Sequence, residues 1–378
     1  MKKRTIIPIF ISLVLFSISC APAAAPSSIP TLAPTLVPTP TSNHQPSTSQ
    51  DITWGKTMEA AKKEGSLTLY SYAFTGDLGL ALSKAFTDKY GIKVEIVTGR
   101  GAEMVERLRT ESRIGTVVAD ILEGSASHAL TAKTAGITVP TLNIPAMSEK
   151  DTWYASPLKS DPAGYAVSYS VIVYNPYINS KLIKPDDAPK SFQDFLAPQW
   201  RGKIIATDPD LSITELNYFV PLLNQGIVTE DYLLKLGGQN LQYTTGEVER
   251  GKKISSGEFA ITTVGTTATM VRFISEGAPV KAIRMKEGLT AGTIAISRVK
   301  NSPHPNAASL FIEWLLSVEG QQLHAKERAT GSIRKGVTDY TPEAARVDLT
   351  GVTVTTDKDQ EDSAQKFRDK WLSRMWKK

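Results

Sequence analysis

Apolar positions along residues 51–378 alternate between two rhythms, a helical one of three to four residues and short runs suited to strands. Trp54, Met58 and Ala61 recur at helical spacing, and the pattern stops at Gly65. A strand from Leu67 to Tyr70 follows, and Ser71-Tyr72-Ala73-Phe74-Thr75-Gly76 leads from it into a helix from about Asp77 to Tyr90. The unit repeats with a strand from Val94 to Val97, the turn Thr98-Gly99-Arg100-Gly101 and a helix from about Ala102 to Arg113. It repeats again with a strand from Val117 to Leu122, the turn Glu123-Gly124-Ser125-Ala126-Ser127 and another helix. Strands alternating with helices imply a parallel sheet covered on both faces.

A second set resumes later in the chain. Lys203 to Ala206 predicts a strand that runs through Thr207-Asp208-Pro209-Asp210-Leu211-Ser212 into a helix near Thr214. Phe259 to Val264 predicts another, running through Gly265-Thr266-Thr267 into a helix that ends near Gly277. Between the sets lies Tyr165 to Tyr174, alternating and rich in β-branched residues, and a similar stretch, Gly292 to Val299, follows the later set. Two sheets joined by two extended crossings describe a two-lobed, hinged α/β architecture. Residues 51–165 with about 287–330 are expected to form lobe 1, 166–286 lobe 2, and 331–378 a C-terminal segment packed on one lobe.

The first 50 residues follow neither rhythm. Lys2, Lys3 and Arg4 precede a mostly apolar run from Ile6 to Ile18, too short to span a bilayer comfortably, and small residues then lead to Cys20. Residues 1–19 therefore predict an export signal. The stretch Ser17-Ile18-Ser19-Cys20 resembles a bacterial lipobox, which implies diacylation of Cys20 after cleavage. It departs from the usual pattern in carrying Ser17 where leucine is common. Prolines at 22, 26, 30, 34, 38, 40 and 46, set among Ser, Thr and Ala, make residues 20–50 an extended linker. At about 3.1 Å per residue it reaches up to about 90 Å.

Composition narrows the remaining choices. Cys20 is the only cysteine, so no intramolecular disulfide forms and stability rests on packing. Net charge is +5, more than half of it from Lys2, Lys3 and Arg4, and elsewhere the basic residues are interspersed with acidic ones. Such a surface gives no basic field for nucleic acid.

Candidate chemistry sits in the loops that leave the strands, because ligands of open α/β sheets bind beyond the strands' carboxyl ends. Each such loop opens a helix whose free N–H groups favour an anion. On this ground Tyr72, Thr75, Gly99, Arg100, Gly101, Ser125, Ser127, Asp208, Thr266 and Thr267 are the expected ligand-binding residues. Arg100 stands out, since its fork of donors lies between two glycines before a helix. No catalytic residue, cofactor site or metal site is expected. His44, His128, His304 and His324 have no chelating spacing. Gly99-Arg100-Gly101 resembles the start of a dinucleotide fingerprint, but Met104 occupies the third glycine position and the motif follows the second strand. No phosphate-loop lysine, HExxH or GxSxG motif occurs.

The segments WGKTMEAAKKEGSLTLYSY, GRGAEMVERLRTE, VIVYNPYINS, PKSFQDFLAPQWRGKIIATDPD and SPHPNAASLFIEWLLSVEGQQLHAKE together resemble the solute-binding lipoproteins of bacterial ABC importers. The branch resembled includes binders of ferric iron, phosphonates, thiamine and polyamines. The resemblance implies a two-lobed periplasmic-binding-protein fold that closes on a small solute and delivers it to permease and ATPase subunits. It also implies an exported, membrane-anchored monomer. Iron-binding members carry a tyrosine pair after the strand corresponding to Phe259–Val264, where this chain has Gly265-Thr266-Thr267. Threonine hydroxyls do not ionise as phenols do, so an oxyanion-bearing organic solute is expected. Ferric iron in chelated form is the alternative, and an enzyme or adhesin on the same scaffold a second one. The apolar run Phe367, Trp371 and Met375 is expected to pack on a lobe rather than on a membrane.

Overall fold

The computed structural model describes residues 49–149, 151–154, 156–158, 161–208, 214–356, 359 and 362. Cys20, the export signal, nearly all of the linker, Asp210 and the apolar run at Phe367, Trp371 and Met375 lie outside the described residues. Helix α1 (Ser49–Glu64) precedes three strand–helix units: β1 (Ser66–Ser71) with α2 (Gly76–Tyr90), β2 (Lys93–Thr98) with α3 (Gly101–Ile114), and β3 (Ile121–Ser125) with α4 (Ala126–Thr134). Next come β4 (Thr138–Val139) and the long β5 (Val167–Asn175), which continues after one residue into β6 (Tyr177–Asn179). The second set comprises β7 (Ile204–Thr207), α5 (Thr214–Asn224), α6 (Glu230–Gly237), β8 (Gln242–Thr244), α7 (Glu247–Ser256) and β9 (Ile261–Thr262). The chain then forms β10 (Gly265–Thr266), α8 (Thr267–Ser275), β11 (Val280–Ala282), β12 (Thr290–Val299), α9 (Pro305–Leu316), α10 (Val318–Arg328) and β13 (Thr353–Val354).

Two sheets result. The first runs β10-β5-β12-β3-β1-β2, with β4 and β13 also paired to β12. Here β1 is parallel to β2 and β3, as alternation with helices requires, while β12 runs antiparallel to β3 and β5. The second sheet runs β11-β6-β9-β7-β8, with β7 parallel to its neighbours β8 and β9.

Each sheet carries its own core. In lobe 1, Leu67 and Leu69 of β1 pack with Phe86, Phe311 and Trp314, and Phe86 meets Trp314 edge-on at 5.5 Å between ring centres. In lobe 2, Ile204 and Ala206 of β7 pack with Phe195, Tyr218 and Phe219. Nearly every residue of α9 is buried, which explains why its apolar pattern runs all round the helix.

The hinge is wider than the two crossings expected. Both of those are present, as β5 into β6 and as the return from β11 to β12. A third arises because β9 pairs in the second sheet while β10, two residues later, pairs with β5 in the first. Lateral order is kept, since β12-β5-β10 in the first sheet faces β11-β6-β9 in the second. The boundary expected at residue 166 thus falls at the start of β5, a member of the first sheet.

The C-terminal segment touches both lobes. Arg334 bridges to Trp153 in lobe 1. Farther on, Val347 packs on the lobe 2 cluster of Tyr177, Ile254 and Met270, and the Arg284 guanidinium donates to the carbonyls of Asp348 and Thr350. The chain then returns to the first sheet as β13.

The third strand starts later than its valines suggest. Val118 is exposed, and pairing begins at Leu69 opposite Ile121. Asp120 sets that start: its wholly buried carboxylate accepts the Thr68 and His304 amides, each at 2.7 Å, tying β1 to the entry of α9. Glu123 therefore lies within the strand rather than in the turn after it.

Candidate functional site

The lobe 1 wall is organised by two residues that sequence reading passes over. Glu123 is wholly buried, and it accepts from the Ser71 hydroxyl at 2.6 Å, the Tyr72 and Ala73 amides at 3.0 and 2.8 Å, and the Tyr169 hydroxyl at 2.7 Å. Burial pushes its carboxyl up, and these four donors pull it back. The result is a fixed exit from β1, with Tyr72 directed away from the sheet and 45% exposed. Tyr169 reaches Glu123 because of a bulge: Ile294 pairs with Ser170 and Ala295 with Ser168, leaving Tyr169 as the extra residue.

His128 is the second organiser. Its ring stands edge-on to Tyr72 at 5.7 Å, and its Nδ1 lies 3.0 Å from Ser125 Oγ and 3.3 Å from the Ser125 amide. An amide can only donate, so Nδ1 is the acceptor and the ring is neutral with its proton on Nε2. Burial pushes the imidazole down, in keeping with that state. Ser125 Oγ is 2.9 Å from Ser127 Oγ. Gly101 completes the contact, because a Cβ there would fall 2.0 Å from the His128 ring. Tyr72, Gly101, Ser125 and Ser127 thus gather around one imidazole.

Other expected residues sit apart from this group. Arg100 directs a largely exposed guanidinium along its own helix, where Nη2 is 2.6 Å from Glu103 Oε1. Thr75 is exposed at the start of α2 and makes no capping bond through its side chain. Gly99 faces the Met104 side chain. Asp208 leaves β7 with its amide donating to the Thr244 carbonyl at 2.8 Å.

In lobe 2 the threonine pair opens α8. Thr266 Oγ1 accepts from the Thr269 amide at 3.3 Å, and the Thr266 amide donates to Glu247 Oε2 at 3.3 Å. Thr267 donates to the Val173 carbonyl at 3.3 Å, fastening α8 to β5. Behind them is a charged group at the core of the lobe. Arg250 Nη1 lies 2.6 Å from Glu215 Oε1, both side chains wholly buried, and Arg250 Nη2 bonds Glu247. Glu215 also accepts from the Thr207 amide at 2.8 Å, and burial pushes its carboxyl up against the pull of Arg250.

A cavity of about 110 Å³ lies where β5 and α8 meet the C-terminal segment, whose Asp339 and Arg346 are among its lining. Ser170 and Val173 of β5, Thr267 and Ala268 of α8, and Arg328 at the end of α10 contribute to its lining. The Arg328 side chain makes no hydrogen bond or ion pair with any other described residue. Its field reaches Tyr72 and Tyr169, and that of Glu247 reaches Tyr72 and Tyr174. The Tyr72 phenol is held above its usual range, first by burial and then by Glu123, with Glu247 adding and Arg328 opposing. One loop of lobe 1 therefore lies within reach of charges on both walls. Among the described residues, no three His, Cys, Asp or Glu side chains are placed to share a metal ion.

Two sheets joined by three side-by-side passages, with a cavity at the N-terminus of α8, are the architecture of a two-lobed binding protein. The sequence pattern of the bacterial extracellular solute-binding proteins matches residues 81–350, and the chain belongs to that family. It is a solute-binding protein of the ABC-importer type. An uncharacterised protein of Haemophilus influenzae is 26% identical over 277 residues, 71% of this chain and 78% of that one. Iron-bound HitA from Pseudomonas aeruginosa has a similar structure, with TM-score 0.64, 22% identity, and 79% and 96% of the two chains covered. AfuA from Actinobacillus pleuropneumoniae, with fructose-6-phosphate bound, gives TM-score 0.63, 20% identity, and 82% and 98% covered. Membership implies export and a permease partner. Among the described residues, no helix is long and apolar enough to cross a membrane.

Proposed function

We propose that this protein captures a small oxyanion-bearing solute between its lobes, with Arg328 as the principal anion partner and Tyr72, Ser125, Ser127, Thr266 and Thr267 around it. The observation that carries the reading is the guanidinium itself: it is partly buried, borders a cavity and is bonded to no carboxylate among the described residues, Asp339 of the same cavity being paired to Arg346. A charge in that state favours an incoming anion, because desolvation is already partly complete. The dipole of α8, whose N-terminal Thr267 lines the cavity, adds to the attraction. Arg100, exposed and paired to Glu103, is left outside this set.

Solute binds one lobe first and the other closes on it, shifting the population toward the form a permease accepts. The protein acts as a monomer without covalent chemistry, held at the outer face of the cytoplasmic membrane by lipid on Cys20. Ser66, His304 and Asp120 form a hydrogen-bonded row, with Ser66 Oγ 3.4 Å from His304 Nε2 and His304 Nδ1 3.0 Å from Asp120. Asp120 already holds two backbone amides, so the row is read as a tether at the base of lobe 1 rather than as hydrolytic machinery.

Thermal denaturation of the full-length chain tests this reading. Phosphate monoesters and carboxylates are the first probes, and ferric citrate addresses the chelated-iron alternative suggested by iron-bound HitA. A bound probe at about 100 times its Kd stabilises by about 2.7 kcal/mol. Arg328→Gln should weaken binding by about 10- to 100-fold without lowering the midpoint of the unliganded protein. Unchanged affinity in that variant would remove Arg328 from the site. A shift with ferric citrate and with none of the metal-free anions would replace the main reading by the alternative.

A further inference from the structure

The lobe 2 wall carries an unbalanced charge. Arg250 is wholly buried and lies 2.6 Å from the equally buried Glu215, so one carboxylate already offsets it. Glu247 bonds the other guanidinium nitrogen and is therefore a surplus negative charge. Alone among the three it reaches solvent, with 18% of its side chain exposed. Its position at the first turn of α7 suits a carboxylate, since the helix dipole favours one there. Its Oε2 holds both the amide and the hydroxyl of Thr266, each at 3.3 Å, and the next residue, Thr267, lines the cavity that Arg328 borders. The half-buried Tyr72 phenol lies in the fields of both Glu247 and Arg328. One wall of the cleft thus offers an unpaired cation and the other a surplus anion.

A solute that is negative throughout meets repulsion at Glu247 however well it fits Arg328. We infer that the solute is bipolar: an oxyanion group rests against Arg328, and O–H or N–H donors on the same molecule face Glu247. This rests on the oxyanion reading above and narrows it to hydroxylated or aminated phosphates, phosphonates or carboxylates.

Isothermal titration of the full-length chain with three phosphate monoesters of similar size separates the possibilities. Propyl phosphate has no donor beyond the phosphate, glycerol 3-phosphate adds hydroxyls, and O-phosphoethanolamine adds an ammonium. At least one donor-bearing ester is expected to bind about tenfold or more tightly than propyl phosphate, and which one shows whether oxygen or nitrogen donors are preferred. Glu247→Gln should reduce that preference to below about threefold and leave propyl phosphate bound as tightly or more tightly, a change of sign that mere loosening of the lobe does not produce. Equal binding of all three by the unaltered chain overturns this inference while leaving the oxyanion reading in place. Binding of none overturns both. Because the comparison among esters needs no substitution, the test survives a variant that fails to fold.

Discussion

Individual side chains on this scaffold are set by what is buried beside them. His324 is wholly buried on α10, its ring edge-on to Tyr169 at 5.3 Å. Burial, reinforced by Arg328, lowers its pKa from 6.5 to about 3. Above pH 6.5 neither folded nor unfolded chain protonates this residue, and it makes stability no function of pH. Below that value the unfolded chain takes up a proton that the folded chain refuses until about pH 3, so stability falls as pH falls through this window. The slope approaches about 1.4 kcal/mol per pH unit. His324→Phe, which keeps a ring against Tyr169, should flatten the acid limb of stability measured by urea titration between pH 7 and 4. Parallel limbs in the two proteins would show that other groups govern it.

At the scale of elements, packing between α9 and α10 permits little change. The two helices meet at Ser317, whose hydroxyl accepts from the Gly320 amide at 3.2 Å. A Cβ on Gly320 would lie 2.2 Å from the Trp314 carbonyl oxygen and 2.8 Å from Leu315 Cα, both backbone atoms that cannot rotate away. Gly320→Ala should therefore cost about 2–3 kcal/mol and lower Tm by roughly 4–10 °C, with solute affinity at low temperature nearly unchanged. A Tm within a degree of the parent would mean that the corner between the helices moves freely.

Elements with strong periodicity were readable from the sequence for the same reason that they are stable. Helices α2 and α3 bury a regular face, β2 alternates between exposed and half-buried positions, and β5 and β12 are buried almost throughout; the expected limits of these elements and of β1 lie within a few residues of those observed. Strand β8, Gln242–Thr244, has no apolar run, and its pairing with β7 is imposed by the sheet. Missing it hid Glu247, which follows two residues after the Thr244–Thr245 exit of that strand. Arg328 escaped notice differently. It ends a helix instead of beginning one, whereas the anion sites that a sequence pattern marks lie at helix N-termini. His128 and Glu123 were passed over because their role lies in contacts between loops far apart in sequence, which spacing does not reveal. Arg100, the most conspicuous cation in the sequence, has an acid three residues away on the same helix, and an exposed pair of that kind forms readily.

Across the molecule, capture and anchoring are assigned to separate parts of the chain. The expected lipid attachment at Cys20 precedes the described body by a proline-rich linker, while the cavity and its charged residues all lie between residues 72 and 330 or in the segment that follows. Cys20→Ala should move the protein from the membrane fraction to the soluble exported fraction, with the affinity of the full-length chain for its solute unaltered. Retention in the membrane fraction would assign the anchor to another segment.

The three side-by-side passages between sheets bear on how the cleft can move. Ladder hydrogen bonds join β12, β5 and β10 edge to edge, and β11, β6 and β9 continue them in the same order. A ribbon of that width resists twisting and sliding in its own plane, yet bends with little resistance across its strands. The gape between lobes is then governed by essentially a single angle. On the proposed reading, solutes of different length would be discriminated by how far that angle must travel before Arg328 and Glu247 are both engaged, and the ribbon would work as a gauge of molecular size.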